Sequence, residues 1–310
     1  MKIYNDISEL VGGTPLIKIK MESKANIFLK LEYFNPSNSV KDRAALNMIK
    51  DAEKKGLLHK GSLVVEATSG NTGIALATIC SARGYNLILV IPDTMSIDKI
   101  NHVKALGATV ILTPGVFGMK KAFMEAERIH KENPNSFMPH QIDNPANPQI
   151  HTETTALEIW DDMDGKIDVL VAGAGTGGTI CGTARKLKEL NQNIKIICVE
   201  PSGSAVLSGG KRGPHKLQGI GPGFIPDIVD VSLFDEIIKI DDEDAMNTSR
   251  SLARKEGLFL GISSGAATYA AIQISDKYKN KNIVVIAPDT GERYLNTELY
   301  NENIKNIFVS

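Results

Sequence analysis

Short, continuously apolar runs alternate along the chain with longer segments of helical periodicity. The apolar runs are rich in Val and Ile, as is typical of strands buried on both faces of a sheet. Strands are predicted at 27–31, 62–66, 87–91, 109–113, 169–172, 195–199 and 282–287. Helices are predicted at 41–55, 72–83, 97–106, 119–132, 152–163, 179–189, 243–256 and 266–276. This alternation predicts an α/β protein with twisted, mostly parallel sheets flanked by helices.

Two stretches interrupt the alternation. Residues 133–148 are dense in Pro, Asn and Gln and lack periodicity, which predicts a domain boundary. Residues 201–230 are rich in Gly and Pro, and a loop of this length inside a compact domain is usually functional. With 310 residues, the chain is long enough for two domains.

Composition excludes several classes of partner. The chain has 35 Lys and Arg against 36 Asp and Glu, so its near-zero net charge predicts neither nucleic acid nor an anionic membrane as partner. No apolar run approaches the roughly 18–20 residues of a membrane span, and the N-terminus does not resemble a signal peptide. Cys80, Cys181 and Cys198 form no CxxC motif, and the His residues form no HxxxH pattern. We therefore expect a cytoplasmic enzyme without a metal site.

Lys41 is predicted to lie in the first turn of a helix. Ser39 matches an N-cap, and Asp42 completes a shortened capping box. The helix dipole disfavours a cation there by about 0.3–1 kcal/mol. The same field lowers the pKa of the amine, which suits a nucleophilic or Schiff-base lysine. Taken alone, the segment is more typical of a solvated lysine at a helix start.

A polar turn, Thr68-Ser69-Gly70-Asn71-Thr72-Gly73, separates a predicted strand from a helix. Its hydroxyl, amide and backbone N–H groups converge at a helix N-terminus without a charged side chain. This arrangement predicts a site for a carboxylate or a phosphate. An ordinary capped turn that uses Ser and Thr for local hydrogen bonds is the alternative interpretation.

A glycine loop, residues 173–178, follows another predicted strand and matches G-x-G-x-x-G. With Glu200 closing the next strand, the segment meets the formal dinucleotide fingerprint and predicts an NAD-dependent oxidoreductase. However, bare backbone at a helix N-terminus binds a monophosphate as well as a pyrophosphate. The motif alone therefore indicates a phosphate and leaves the cofactor open.

A serine pair lies between two glycines, Gly261 and Gly265. Ser263 could hydrogen-bond a heterocycle nitrogen, although an N-cap for the following helix is the simpler interpretation. The segment also matches G-x-S-x-G, the nucleophile turn of α/β hydrolases. No His follows His215, which excludes a Ser-His-Asp hydrolase in that chain order.

Taken together, these segments resemble the cysteine synthase (O-acetylserine sulfhydrylase) and cystathionine β-synthase family of fold-type II pyridoxal-phosphate enzymes. The similar stretches follow in family order: 12–16 (GGTPL), 35–43, 68–73, 141–148 (QIDNPANP), 175–179, 218–226 (QGIGPGFIP), 261–266 and 291–294. The resemblance implies a fold like that of the tryptophan synthase β subunit. It also implies a smaller domain at 40–145, a larger domain from 1–39 and 146–310, and a homodimer.

The resemblance implies pyridoxal 5′-phosphate as cofactor and a role for each matching residue. Lys41 would form the internal aldimine and shuttle the α-proton, Asn71 would contact the 3′ oxygen, and Ser263 would face the pyridine nitrogen. The 5′ phosphate would be held by Gly175, Thr176, Gly177, Gly178 and Thr179. The substrate carboxylate would be bound by Thr68, Ser69, Asn71, Thr72 and Gln141. Gly219 would lie in a loop that closes over the site.

The activity that the resemblance implies is β-replacement on an amino acid. O-acetyl-L-serine and sulfide would give L-cysteine and acetate through an α-aminoacrylate intermediate. The partners would thus be an amino acid and a sulfide or thiol. An NAD-dependent oxidoreductase remains the alternative of another class, but it leaves Lys41 and residues 68–73 without a role.

Asp227 departs from the commonest family pattern. A carboxylate facing the cleft would repel an anionic donor or assist water or a thiol. L-cysteine itself is therefore an alternative donor, with release of hydrogen sulfide and formation of serine or lanthionine. An exposed loop residue without such a role is the other interpretation.

Overall fold

The computed structural model describes residues 3–68 and 70–301, and their strands form two sheets. The strands are β1 Leu16–Lys18, β2 Asn26–Leu31, β3 Leu63–Ala67, β4 Asn86–Pro92, β5 Thr109–Thr113, β6 Val169–Gly173, β7 Lys195–Pro201, β8 Glu236–Ile240 and β9 Asn282–Ala287. The larger sheet has the order β1-β2-β9-β6-β7-β8, and the smaller has the order β3-β4-β5. Only β1 runs antiparallel to its neighbour among these strands. The prediction of an α/β protein with mostly parallel sheets is confirmed.

Helices cover both sheets. They are α1 Lys41–Lys54, α2 Asn71–Arg83, α3 Ile97–Ala105, α4 Gly118–Glu132, α5 Ala146–Ile150, α6 Ala156–Asp162, α7 Gly178–Leu190, α8 Asp242–Glu256 and α9 Ile262–Gln273. A π-helical turn, His151–Thr155, joins α5 to α6. No helix among residues 3–68 and 70–301 is long and apolar enough to cross a membrane.

Two predicted helix starts were wrong, and two strands were missed. The helix predicted at 266–276 begins at Ile262, and the helical segment predicted at 152–163 begins at Ala146. Strands β1 and β8 have partly exposed or charged positions, so they lack the continuously apolar pattern that marked the others. Both lie at the edges of the larger sheet, where one side has no neighbouring strand.

Two apolar cores support the two sheets. In the larger sheet, β-strand residues such as Val171 and Val285 pack against the Ala-rich helix α9. In the smaller sheet, Val64 and Leu89 pack with Ile74 of α2. The smaller sheet lies within the predicted domain 40–145 and the larger sheet lies outside it, although the domain boundaries stay a prediction.

Candidate active site

The parallel strands direct their carboxyl ends toward the segments singled out in the sequence. Strand β3 leads into Thr68, β6 into the loop at Ala174 and β9 into Asp289. In open α/β sheets, ligands bind in the crevice outside the carboxyl ends of strands. The candidate site is therefore built from the loops that follow these strands.

Lys41 is the first residue of α1, as predicted, but the predicted cap is wrong. The N-cap residue is Val40, and the Ser39 hydroxyl accepts a bond from the Lys41 N–H at 3.3 Å. The Asp42 carboxylate turns away from the helix start and accepts bonds from the N–H and the hydroxyl of Ser37. Ser39 and Asp42 therefore do not form the capping box that the sequence pattern predicts.

The Lys41 amine is partly buried and donates no hydrogen bond within residues 3–68 and 70–301. Burial lowers the pKa of Lys41 to about 8, against the opposing attraction of the Asp289 carboxylate. At pH 7 about one tenth of the amine is then neutral, far more than for an exposed lysine. This environment prepares Lys41 to act as a nucleophile or as a base.

The glycine loop joins β6 to α7. Gly177 adopts a left-handed φ of 85° as the cap residue of α7. Among the described residues, the N–H groups of Gly175, Thr176, Gly177 and Thr179 have no hydrogen-bond acceptor. Unpaired N–H groups at a helix N-terminus form a cradle for an anion such as a phosphate monoester.

Asn147 braces this cradle, and sequence reasoning did not single it out. Its buried side-chain amide donates to the Gln141 carbonyl at 2.7 Å and to Thr176 Oγ1 at 3.1 Å. A Cβ atom at Gly178 would overlap Asn147 Oδ1. Its position inside the NPANP segment was the available signal, but the contact with residue 176 depends on the tertiary fold.

Replacing Gly178 with alanine is expected to weaken phosphate-cofactor binding by about tenfold or more. The added methyl displaces Asn147 and so loosens two hydrogen bonds that shape the cradle, each worth about 1 kcal/mol. Titration with pyridoxal phosphate measures the change. If the overlap is the cause, Gly178→Ala should cost little further affinity in an Asn147→Ser background. An equal loss in both backgrounds would contradict this account.

The polar turn lies between β3 and α2, at the end of the smaller sheet. The Thr72 hydroxyl donates to Gln141 Oε1 at 2.6 Å, and the Thr68 hydroxyl accepts from the Gly70 N–H at 3.4 Å. Thr72 and Gln141 are thus in contact, and the carboxylate-binding role that the resemblance implies for them stays a prediction. Ser69 lies outside the described residues, and its role stays a prediction.

Asn71 and Ser263 lie on different elements of the site. The Asn71 amide donates to Asp289 Oδ2 at 2.7 Å, and its carbonyl accepts from the Arg293 guanidinium. Ser263 is the second residue of α9 and is buried, whereas Gly261 is the cap residue. The N-cap interpretation of Ser263 is therefore wrong, and its hydroxyl donates no hydrogen bond within the part of the chain described.

The glycine-rich segment after β7 lies against the phosphate cradle. The Gly221 N–H donates to the Ala174 carbonyl at 3.0 Å, and the Gly219 carbonyl lies where a Cβ of Gly175 would stand. This placement agrees with a loop that covers the site, although closure stays a prediction. Asp227 is exposed on the same segment, and so is Phe224.

Glu200, the acid of the dinucleotide fingerprint, has local partners. Its buried carboxylate accepts from the N–H groups of Leu207 and Ser208 at 2.8 and 3.1 Å and from the Ser208 hydroxyl. These bonds hold the turn after β7, so the carboxylate is not available to a ribose. Within the described residues, no group of three or more His, Cys, Asp or Glu side chains is arranged to hold a metal ion.

The fold is that of an α/β protein, and the site combines the cradle of unpaired N–H groups, the polar turn and a lysine whose pKa burial lowers. The family model described as "Pyridoxal-phosphate dependent enzyme" matches residues 7–289, and the chain belongs to this family. The resemblance inferred from the motifs is thereby confirmed, as is pyridoxal phosphate as cofactor.

Relatives agree over nearly the whole chain. A probable cysteine synthase of Bacillus subtilis (strain 168) is 51% identical, covering 97% of this chain and 99% of the relative. The crystal structure of a cysteine synthase of Entamoeba histolytica is 44% identical with a TM-score of 0.94, covering 98% of this chain and 93% of that one. A hydrogen sulfide-producing enzyme of Fusobacterium nucleatum is 47% identical with a TM-score of 0.91, covering 94% and 100%.

The residues present fit the cofactor that the family requires. The unpaired N–H groups of 175–177 suit the phosphate, Lys41 suits a carbonyl carbon, and the buried Ser263 hydroxyl suits a ring nitrogen. A nicotinamide cofactor would give Lys41 no role. The oxidoreductase interpretation is therefore overturned by the family match and by the bonds of Glu200.

Proposed function

We propose that this enzyme converts O-acetyl-L-serine and sulfide into L-cysteine and acetate. One observation carries the proposal: Asn147 links the phosphate cradle to Gln141, a residue proposed to bind the substrate carboxylate. Its side-chain amide donates both to Thr176 Oγ1 in the cradle and to the backbone carbonyl of Gln141. An amino-acid substrate bound next to a phosphate-bearing cofactor would place a carboxylate and a phosphate at neighbouring sites. A pair of anion sites braced by one residue suits such a ligand.

Bound pyridoxal phosphate supplies an electron sink for the bond that breaks at the α-carbon. Lys41 would hold the cofactor and then, as a neutral amine, accept the α-proton on Nζ. Thr72 and Gln141 would orient the substrate carboxylate. The Ser263 hydroxyl is a poor acid and would leave the ring nitrogen largely unprotonated, which disfavours transamination.

The enzyme's own cysteines are unsuited to supply the sulfur. Cys80, Cys181 and Cys198 are all buried. Burial raises the pKa of Cys80 to about 12, and it also raises the pKa values of Cys181 and Cys198. Since the thiolate is the nucleophile, these thiols are unreactive at neutral pH. The nucleophile would therefore be external sulfide.

A product assay tests the proposed function. The purified protein is mixed with O-acetyl-L-serine and sulfide, and cysteine and acetate are quantified; a second mixture contains L-cysteine without acetylserine, and sulfide is quantified. We expect cysteine and acetate in equal amounts in the first mixture, at a rate well above sulfide release in the second. Absence of cysteine in the first mixture would refute the proposal.

L-cysteine as donor is a second candidate, favoured by the similarity to a hydrogen sulfide-producing enzyme. Under this alternative, Asp227 would assist the thiol at the site entrance. Asp227 is exposed on the segment that lies against the phosphate cradle. This position is compatible with a role in donor choice and also with a loop residue that has no such role. Unchanged rates of both reactions in Asp227→Ala would show that this carboxylate has no role in donor choice.

Thr72→Val is expected to lower kcat/KM for the amino-acid donor by about 10- to 100-fold. The substitution keeps the shape of the side chain but removes a hydroxyl that would bond the carboxylate, and bonds to charged groups contribute about 1.5–3 kcal/mol. Cofactor absorbance should stay unchanged. Thr78→Val is the matched control, because among the described residues the Thr78 hydroxyl bonds only the Ile74 carbonyl of the same helix. Equal effects of the two substitutions would contradict the assignment.

We also propose a homodimer in the cytoplasm. The dimer follows from the resemblance to the cysteine synthases, and the compartment from three cysteines that form no disulfide. Light scattering of the purified protein and fractionation of the cells that express it test the two statements.

A further inference from the structure

Asp289 is a buried carboxylate at the centre of the site that the sequence motifs did not single out. It follows β9 and is only 1% exposed. Burying an ionised carboxylate is costly unless hydrogen bonds or a nearby cation compensate for the lost water. The groups around Asp289 must therefore compensate for the burial of its carboxylate.

One oxygen of this carboxylate is fully engaged. Oδ2 accepts from the Asn71 amide at 2.7 Å and from the Tyr294 hydroxyl at 2.7 Å. Tyr294 is itself buried. The carboxylate thus fixes which way the Asn71 amide points.

The other oxygen, Oδ1, is buried and has no hydrogen-bond partner within residues 3–68 and 70–301. A Cβ at Gly261 would overlap this oxygen, so it lies beside the segment that carries Ser263. A buried charged oxygen without a donor is costly, and nearby positive charge is the available compensation.

Backbone bonds keep Asp289 close to Lys41. The Val40 N–H, immediately before Lys41, donates to the Pro288 carbonyl at 2.8 Å, and the Gly261 N–H donates to the Asp289 carbonyl at 3.1 Å. The carboxylate is therefore tied to both the lysine and the serine segments. Its negative charge raises the pKa of Lys41 against the larger effect of burial.

We propose that Asp289 is a positioning residue that orients the Asn71 amide and stabilises the protonated amino group of Lys41. The inference rests on the proposed function, in which Lys41 accepts the α-proton and must retain it as a cation. A fixed negative charge that attracts this amino group would serve that need without contacting the substrate. The same carboxylate would hold the Asn71 amide in one orientation.

Other charged or titratable groups act on this pair. They are Lys99 of α3, Tyr294, Tyr300, and His151 of the π-helical turn, and Arg293 in turn acts on Lys99 and Tyr294. All of them are retained in an Asp289 variant. A change in the titration of Lys41 on Asp289→Asn is therefore assigned to the lost carboxylate charge.

The test measures the Lys41 amine directly in the full chain. The cofactor is removed, the protein is labelled with an amine-selective acylating reagent across pH, and the Lys41 peptide is quantified by mass spectrometry. In Asp289→Asn, we expect the labelling midpoint at lower pH and labelling at neutral pH about two- to threefold faster, because a larger fraction of the amine is then neutral. The dissociation constant of pyridoxal phosphate should rise by about tenfold.

Asp276→Asn is the matched control, because it removes an exposed carboxylate and should leave both quantities unchanged. A folded Asp289→Asn with an unchanged labelling midpoint would overturn the inference. If this variant does not fold, Asp289→Ser and Asp289→Ala replace it, and failure of all three would assign Asp289 to stability alone. Since labelling needs no turnover, a shifted midpoint in a protein that makes no cysteine would refute the proposed function only.

Discussion

Replacing Lys41 with alanine is expected to lower turnover by about a thousandfold or more. A positioned acid–base group contributes about 10²- to 10⁴-fold to a rate, and Lys41 would also hold the cofactor. Its low pKa, which burial brings to about 8 against the attraction of Asp289, supports both tasks. Steady-state kinetics with saturating pyridoxal phosphate measure the loss.

Lys54→Ala is the control for this prediction. Lys54 is exposed at the last turn of the same helix α1, so its replacement leaves the site intact. We expect wild-type turnover in Lys54→Ala. Turnover within about tenfold of wild type in Lys41→Ala would show that another group removes the proton.

The second large effect is on stability: Arg43→Met is expected to reduce the free energy of unfolding by about 3–5 kcal/mol. Arg43 is almost fully buried and lies two residues after Lys41. Its guanidinium bonds Glu32 and Glu158 at 2.7 Å, and Lys30 contacts Glu158 at 3.0 Å. Removing the guanidinium leaves the buried Glu32 carboxylate without its cation.

Urea unfolding of wild-type and variant proteins in the same cofactor state measures this difference. Arg128→Met is the control, because Arg128 pairs with Glu125 and Glu132 on an exposed helix face where water screens the charges. We expect little change in that variant. An equal decrease in the free energy of unfolding in both variants would mean that burial does not determine how much these ion pairs contribute to stability.

The same cluster predicts how stability depends on pH. Burial opposes ionisation of Glu158, but its bonds to Arg43 and the charge of Lys30 lower its pKa to about 2. The depressed pKa means that this contribution is present above the unfolded pKa of about 4.3 and is lost as the pH falls toward 2. In Arg43→Met, the acid-dependent loss attributable to Glu158 should shrink.

Much of the fold followed from apolar patterning, since buried parallel strands and amphipathic helices have distinct periods. Strands β1 and β8 were not predicted, because a strand at a sheet edge tolerates charged and partly exposed positions and so lacks a continuous apolar run. The cap of α1 was predicted wrongly because the Asp42 carboxylate bonds Ser37, a local partner that competes with the backbone of the helix start. Such choices depend on tertiary packing and not on the order of residues alone.

The residues of the site also fall into those with a local sequence signal and those that depend on tertiary packing. Loops at the ends of strands carry local signals, so the glycine loop and Lys41 could be singled out by their neighbours in sequence. Asn147 and Asp289 could not, because their partners are distant in sequence: Asp289 bonds Asn71 across 218 positions. Glu200 shows the reverse error, since a motif acid at the expected spacing serves the adjacent turn instead.

Reduction of the purified holoenzyme with borohydride, followed by mass spectrometry of its peptides, tests most directly that Lys41 and pyridoxal phosphate form the reactive centre. Borohydride makes a carbon–nitrogen link between a lysine and the cofactor permanent. We predict that the peptide containing Lys41 carries the reduced cofactor and that no other lysine peptide does. Recovery of the label on a different lysine, or on none, would contradict the account.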